Sequence, residues 1–221
     1  MKRGIWIHPR DFDFESPGQL AEKLKDFDKV ICGPVDTFDE TYLYNFKANS
    51  DNKLLYCTPM DKFRTVPDYF DGVMLDFVRF DNFSWWNIFR TNQITKRVKH
   101  ISNFLRVNGL TTDLSLKALE CPAKWGVNYR ALSKYVDAVC PMIYTELYGL
   151  PHEGFHVYDL AKQWQRTGKC EPILQTYYDP TEAPMKKPTR DKLDYEVDLV
   201  KKAGCQGYSQ FRYRTDWGWQ L

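Results

Sequence analysis

Apolar positions along the chain fall into short runs of strand length, and the stretches between them carry apolar residues at helical spacing. The runs are residues 4–8, 29–33, 53–57, 72–78, 110–116, 136–144, 172–177 and 207–213. Helix-like segments follow most of them: 17–26 with Ser16 as N-cap, 39–46, 94–107, 128–135, 157–166 and 191–202. Only a short connection around residues 61–68 separates the third run from the fourth, so the third helix reads as truncated. Such alternation is the signature of repeated βα units and a parallel sheet.

An open doubly wound sheet would fit the same alternation, but none of the eight runs is followed by a Gly-rich phosphate loop of the dinucleotide type. Eight runs match a closed ring. The pattern therefore predicts a compact α/β fold, a (β/α)8 TIM barrel. That fold usually takes about 250 residues and can shrink to about 200, so 221 residues leave little room for decoration. No linker or composition shift divides the chain, which reads as one barrel domain over 1–221. In such a barrel, chemistry gathers at the C-terminal ends of the strands and in the loops after them.

Charge and composition narrow the partners. Lys and Arg number 31 against 29 Asp and Glu, a net charge of +2 without the dominant basic cluster of a nucleic-acid binder. No nucleic-acid partner is expected. No run reaches the roughly 18 apolar residues of a spanning helix. The apolar stretch after Met1-Lys2-Arg3 stops at His8, too early for a signal-peptide core. A cytoplasmic protein without a membrane partner is the expectation, and oligomeric state is left open. The six cysteines form no C-x-x-C pair and lie mostly in or beside apolar runs, so they read as free thiols. Aromatic residues make up 16% of the chain; most must fill the core, and a surplus at a cleft would suit flat-faced ligands such as sugar rings.

Asp76 interrupts an otherwise apolar fourth run, Gly72-Val-Met-Leu-Asp-Phe-Val78. Alternation puts it on one face with Met74 and Val78. A carboxylate there must be hydrogen-bonded or perturbed, because burying it unpaired costs several kcal/mol. A structural ion pair with Arg79 is the plainer account of it.

The decapeptide Asp71-Gly-Val-Met-Leu-Asp-Phe-Val-Arg-Phe80 resembles the fourth-strand signature of glycoside-hydrolase-like TIM barrels, the group related to the α-amylase and chitinase-type barrels. Pro141-Met-Ile-Tyr144, Ile173-Leu-Gln175, Gly207-Tyr-Ser-Gln-Phe-Arg-Tyr213 and Gly4-Ile-Trp-Ile-His-Pro9 extend the resemblance along nearly the whole chain. It implies a carbohydrate substrate and carboxylate acid/base chemistry, with no cofactor and no metal. The departures matter equally. Val78 stands where chitinase-type enzymes carry a catalytic Glu, Met74 where the α-amylase type has an Arg, and Asp81 where a proline often follows the Arg-aromatic pair. The missing Glu keeps open a second reading, a non-catalytic carbohydrate-binding barrel.

Glycoside hydrolysis normally needs two carboxyl groups, about 5–5.5 Å apart for retention and about 6.5–9.5 Å for inversion. As partners of Asp76 the expectation ranks Glu146, past the sixth run, first and Glu120, after the fifth, second. Asp36, Asp61 and Asp179 follow other runs. His8, Arg79, Lys117, Tyr144, Gln175 and Tyr177 stand at strand ends, where they would bind sugar hydroxyls or developing charge. Trp85, Trp86 and Trp125 are candidate stacking platforms; Trp217 and Trp219 would close the core or the cleft.

One motif competes. His152-Glu-Gly-Phe-His156 matches H-E-x-x-H, which on a helix binds zinc with the Glu as general base. Gly149 and Pro151 before it and Gly154 within it argue for a loop, so a zinc protease ranks last.

Overall fold

A computed structural model describes residues 1–8, 15–33, 38–76, 78–79, 84–118, 122–145, 155–176 and 188–213, the side chains of Lys117, Pro122 and Phe155 excepted. Eight strands run in chain order: β1 (Lys2–Ile7), β2 (Lys29–Cys32), β3 (Lys53–Pro59), β4 (Gly72–Asp76), β5 (Thr111–Lys117), β6 (Ala138–Ile143), β7 (Ile173–Gln175) and β8 (Gly207–Phe211). Each pairs in parallel with its sequence neighbours, and β8 returns to β1 with Gly4 opposite Ser209. The ring is closed, so its strands leave no edge unpaired.

Helices α1 (Pro17–Leu24), α2 (Glu40–Ala48), α3 (Thr91–Val107), α4 (Tyr129–Leu132), α5 (Phe155–Gln165) and α6 (Arg190–Lys202) surround it. The start of α1 follows from its sequence. Ser16 Oγ accepts from the Gln19 N–H at 3.3 Å, Gln19 Oε1 accepts from the Ser16 N–H at 2.9 Å, and Pro17 opens the first turn. In α3, residues Ile94, Val98, Ile101 and Leu105 form the buried stripe expected of a helix lying on a sheet. A six-residue 3-10 turn, Trp85–Arg90, precedes α3, and a second, Pro122–Trp125, follows β5. Residues 60–71, between β3 and β4, contain no helix, as the short connection predicted. The helix expected over 128–135 is only one turn, capped by Asn128 and continued as a turn through Tyr135.

Alternation along the strands divides the core into two layers. Ile5, Val30 and Leu54 pack outward against Leu20, Leu24, Leu43 and Phe46 of α1 and α2. Val73, Leu75, Leu114, Val139 and Leu174 face Val98, Leu105, Trp164 and Val200 of α3, α5 and α6. Each such side chain, once fully buried, contributes about 1.5–3 kcal/mol. The inner layer holds Trp6, Ile31, Leu55, Cys57, Met74, Cys140, Tyr144 and Ile173. Where β4 meets β5 the backbones lie too close for a side chain: a Cβ on Gly72 would fall 2.2 Å from Thr111 Oγ1 and 2.7 Å from the Thr111 carbonyl oxygen.

Charge rather than hydrocarbon fills the N-terminal end of the ring. The Lys29 ammonium, fully inside, donates to Asp113 Oδ2 at 2.8 Å and to Glu171 Oε2, while Lys2 approaches Glu171 from outside at 3.8 Å. Burial disfavours the Lys29 charge, but the facing Asp113 and Glu171 outweigh it and hold its pKa well above the ordinary lysine value. Removing one member would strand the others in a dry interior.

Candidate functional site

The C-terminal end of the ring collects the polar and aromatic strand ends. Asp76 is the last residue of β4, half-buried, and two residues on from Met74 of the inner layer. Its carbonyl accepts from the Met60 N–H at 2.9 Å, which carries the β3–β4 pairing one residue further. Cys57, of the inner layer of β3, feels the carboxylate: burial pushes its thiol pKa up, and the Asp76 charge pushes it further. As a ladder residue two on from Met74, Asp76 falls on the inner face by strand alternation. The expected continuation to Val78 does not hold. The strand ends at Asp76, and Val78, 1% exposed, packs with Val73, Leu75 and Ile94 in the layer between sheet and helices. The period of two applies only while the ladder lasts.

Three rings close the interior beneath this end. Tyr144, one residue past β6, stacks on Phe211 of β8 with centroids 5.4 Å apart and planes 24° apart. Phe211 also meets Trp6 of β1 edge-on at 5.3 Å. The Trp6 indole N–H is buried without a hydrogen-bond partner among the described residues, a donor available to a bound polar group. Gln175, buried at the end of β7, lies opposite Phe211 in the ladder. His8 is half-buried one residue past β1. Lys117 ends β5 opposite Met142.

A rim of aromatic rings and cations stands over the β4 and β5 ends. The Arg79 guanidinium lies over the Trp125 ring at 4.9 Å, and the Lys124 ammonium over Trp85 at 3.6 Å. Trp85 is 67% exposed and Trp86 76%. Their backbone is fixed from below: Asn87 is buried and donates through Nδ2 to the Lys124 carbonyl at 3.0 Å, and the Ser84 N–H donates to the same oxygen. The ring faces are therefore presented on a braced turn.

Of the nominated second carboxylates, Glu146, Glu120, Asp36 and Asp179 lie outside the described residues, as do Tyr177, Trp217 and Trp219. Asp61 is described and exposed, two residues past β3. Of the H-E-x-x-H motif only His156 is described, exposed in the first turn of α5; His152 and Glu153 lie outside. Trp6 and Phe211 escaped the sequence reading as site residues, although each shares an inward face with a strand neighbour two residues away. Asp113, Cys140 and Glu171 bring their ligand atoms within 4.8 Å of one another, as a metal site would, but Lys29 donates to both carboxylates and supplies the positive charge there. Among the described residues no helix is long and apolar enough to cross a membrane.

No family model and no curated protein matches this chain. Solved structures do. The glycoside hydrolase domain of PgaB (BpsB) from Bordetella bronchiseptica superposes with a TM-score of 0.73 at 12% identity, over 98% of this chain and 94% of that one. The Group IV chitinase of Ostrinia furnacalis gives 0.69 at 11% identity, over 97% and 93%. The spore cortex-lytic enzyme SleL of Bacillus megaterium gives 0.68 at 11%, over 96% and 70%. With these structures the chain shares the fold of a closed parallel (β/α)8 barrel.

Proposed function

We propose that the chain is a glycoside hydrolase acting on an oligo- or polysaccharide through carboxylate chemistry. The observation that carries this reading is Asp76: a carboxylate on the inner face, at the C-terminal end of a closed parallel barrel, above buried aromatic rings. That is the end at which barrel enzymes do their chemistry. Asp76 acts as nucleophile or charge stabiliser, and Glu146 or Glu120 supplies the general acid. Tyr144, Gln175, His8, Arg79, Lys117 and Tyr177 bind the sugar, with Trp85 and Trp86 as its stacking surface. The glycoside hydrolase domain and the chitinase among the structural neighbours support a carbohydrate ligand by analogy of fold.

A second reading draws on Val78. At the position where the chitinase type carries its Glu, this chain packs an apolar side chain into the outer layer. A barrel that binds sugar without cleaving it fits that observation.

One experiment separates the two. The protein and its Asp76→Asn variant are screened for binding and hydrolysis against a glycan panel. Hydrolysis by the parent, reduced about 10²–10⁴-fold in the variant with binding retained, supports the enzyme. Binding without hydrolysis by either supports the second reading, and binding to no glycan overturns both.

A further inference from the structure

The missing helix of the third βα unit leaves a consequence on the outside of the barrel. Residues 60–64 lie against the flank of α3 and enclose with it a cavity of about 300 Å³, near the lower end of clefts that take small molecules. One wall comes from α3: Arg97, His100, Ile101 and Phe104 recur at helical spacing on one face. The other comes from Phe63 and Arg64. Met60 and Ile101, 3% and 5% exposed, form the apolar floor. Phe104 is 48% exposed, and its ring stands edge-on to Phe63 at 6.3 Å.

The polar lining is cationic. Arg97 Nη2 donates to the Asp61 carbonyl at 3.1 Å, and Arg64 Nη1 donates to the Phe63 carbonyl at 3.0 Å. These backbone oxygens orient the guanidiniums without neutralising them. Among the described residues neither arginine has an ion pair and no carboxylate lines the cavity. A guanidinium so placed keeps its remaining donors for an oxyanion, which it binds bidentately. Two aromatic edges beside them suit a flat apolar body.

We propose that this cavity is a binding site for a small aromatic oxyanion: one or two rings bearing a carboxylate or a phosphate. The site is separate from the barrel mouth and independent of the carbohydrate reading. Arg64 and Arg97 take the anionic group, and Phe63 and Phe104 hold the ring over the Met60–Ile101 floor.

Calorimetric titration tests it with indole-3-acetate and adenosine 5′-monophosphate as charged-ring probes. Indole and adenosine serve as rings without the anion, acetate and inorganic phosphate as anions without the ring. The expected result is saturable 1:1 binding of at least one charged-ring probe, about tenfold or more tighter than its uncharged ring and its ringless anion. Whether the carboxylate or the phosphate probe binds identifies the head group. Arg64→Gln and Arg97→Gln each weaken binding about tenfold, equivalent to about 1.4 kcal/mol, and Phe104→Ala weakens it as well, all with unchanged circular dichroism. Asp76→Asn leaves it untouched. Absence of saturable binding by either probe, equal binding of the uncharged rings, or affinity unchanged in both arginine variants overturns the proposal.

Discussion

Asn87 donates to the backbone carbonyl of Lys124 across the gap between the turns that follow β4 and β5. The bond ties together the two segments bearing Trp85, Trp86 and Trp125. It separates holding the rings in place from being the rings.

Trp86→Ala removes an exposed ring and is expected to change stability by no more than about 0.5 kcal/mol. Asn87→Ala removes a buried hydrogen bond and costs about 0.5–1.5 kcal/mol. Both variants lose oligosaccharide affinity if the rings form the stacking surface. Chemical denaturation alongside a glycan-binding titration distinguishes them; an unchanged affinity in Trp86→Ala removes that ring from the ligand surface.

Lys29→Met leaves Asp113 and Glu171 buried without their cation, and is expected to lose about 3–5 kcal/mol. Adding Asp113→Asn and Glu171→Gln to it recovers part of that loss, because the stranded charges go with the partner. The pH dependence has a defined sign. The Lys29 pKa is raised on folding, so its contribution is complete below the ordinary value of 10.5 and is lost only as pH rises through the higher folded-state value. Urea midpoints at pH 6 and pH 9 should therefore show no loss attributable to this residue.

Gly72→Ala forces a methyl group against the Thr111 side chain and backbone. The backbone oxygen cannot swing aside as a side chain can, and overpacking of this kind costs about 1–3 kcal/mol. A lowered melting temperature would register it, and an unchanged one would mean that the β4–β5 approach is looser than described.

Five described cysteines are buried free thiols. Burial pushes the thiols of Cys32, Cys57 and Cys140 up, which keeps them protonated at neutral pH. Cys205 is buried as well, and its thiol donates to the Ala161 carbonyl at 3.8 Å. Timed iodoacetamide labelling read by peptide mass spectrometry should find all of these thiols modified slowly in the folded protein and about tenfold or more faster once urea unfolds it.

Much of the fold was legible because local rules and the ring agree. The Ser16 cap, the eight apolar runs and the short third connection each predicted what formed. Asp76 was legible for the same reason, since alternation with Met74 aims it inward. Val78 was not, because nothing in the sequence says that the ladder stops at residue 76. Lys29 was hidden more thoroughly. A lysine opening a strand reads as solvated, and its acceptors lie 84 and 142 residues away. Only closure of the ring brings them together, so no local window contains the signal. The cavity beside α3 was hidden likewise: the truncated third unit was predicted, but not which side chains would line the space it leaves.

Lys29 lies in β2, whereas its acceptors lie in the second half of the chain, Asp113 in β5 and Glu171 two residues before β7. A chain cut between β4 and β5 would yield one fragment with an orphaned cation and another with two orphaned anions, each facing hydrocarbon. Neither half is then a stable stopping point on the way to the whole. Assembly becomes all-or-none, and fragments of the two halves, mixed, should acquire structure only in each other's presence.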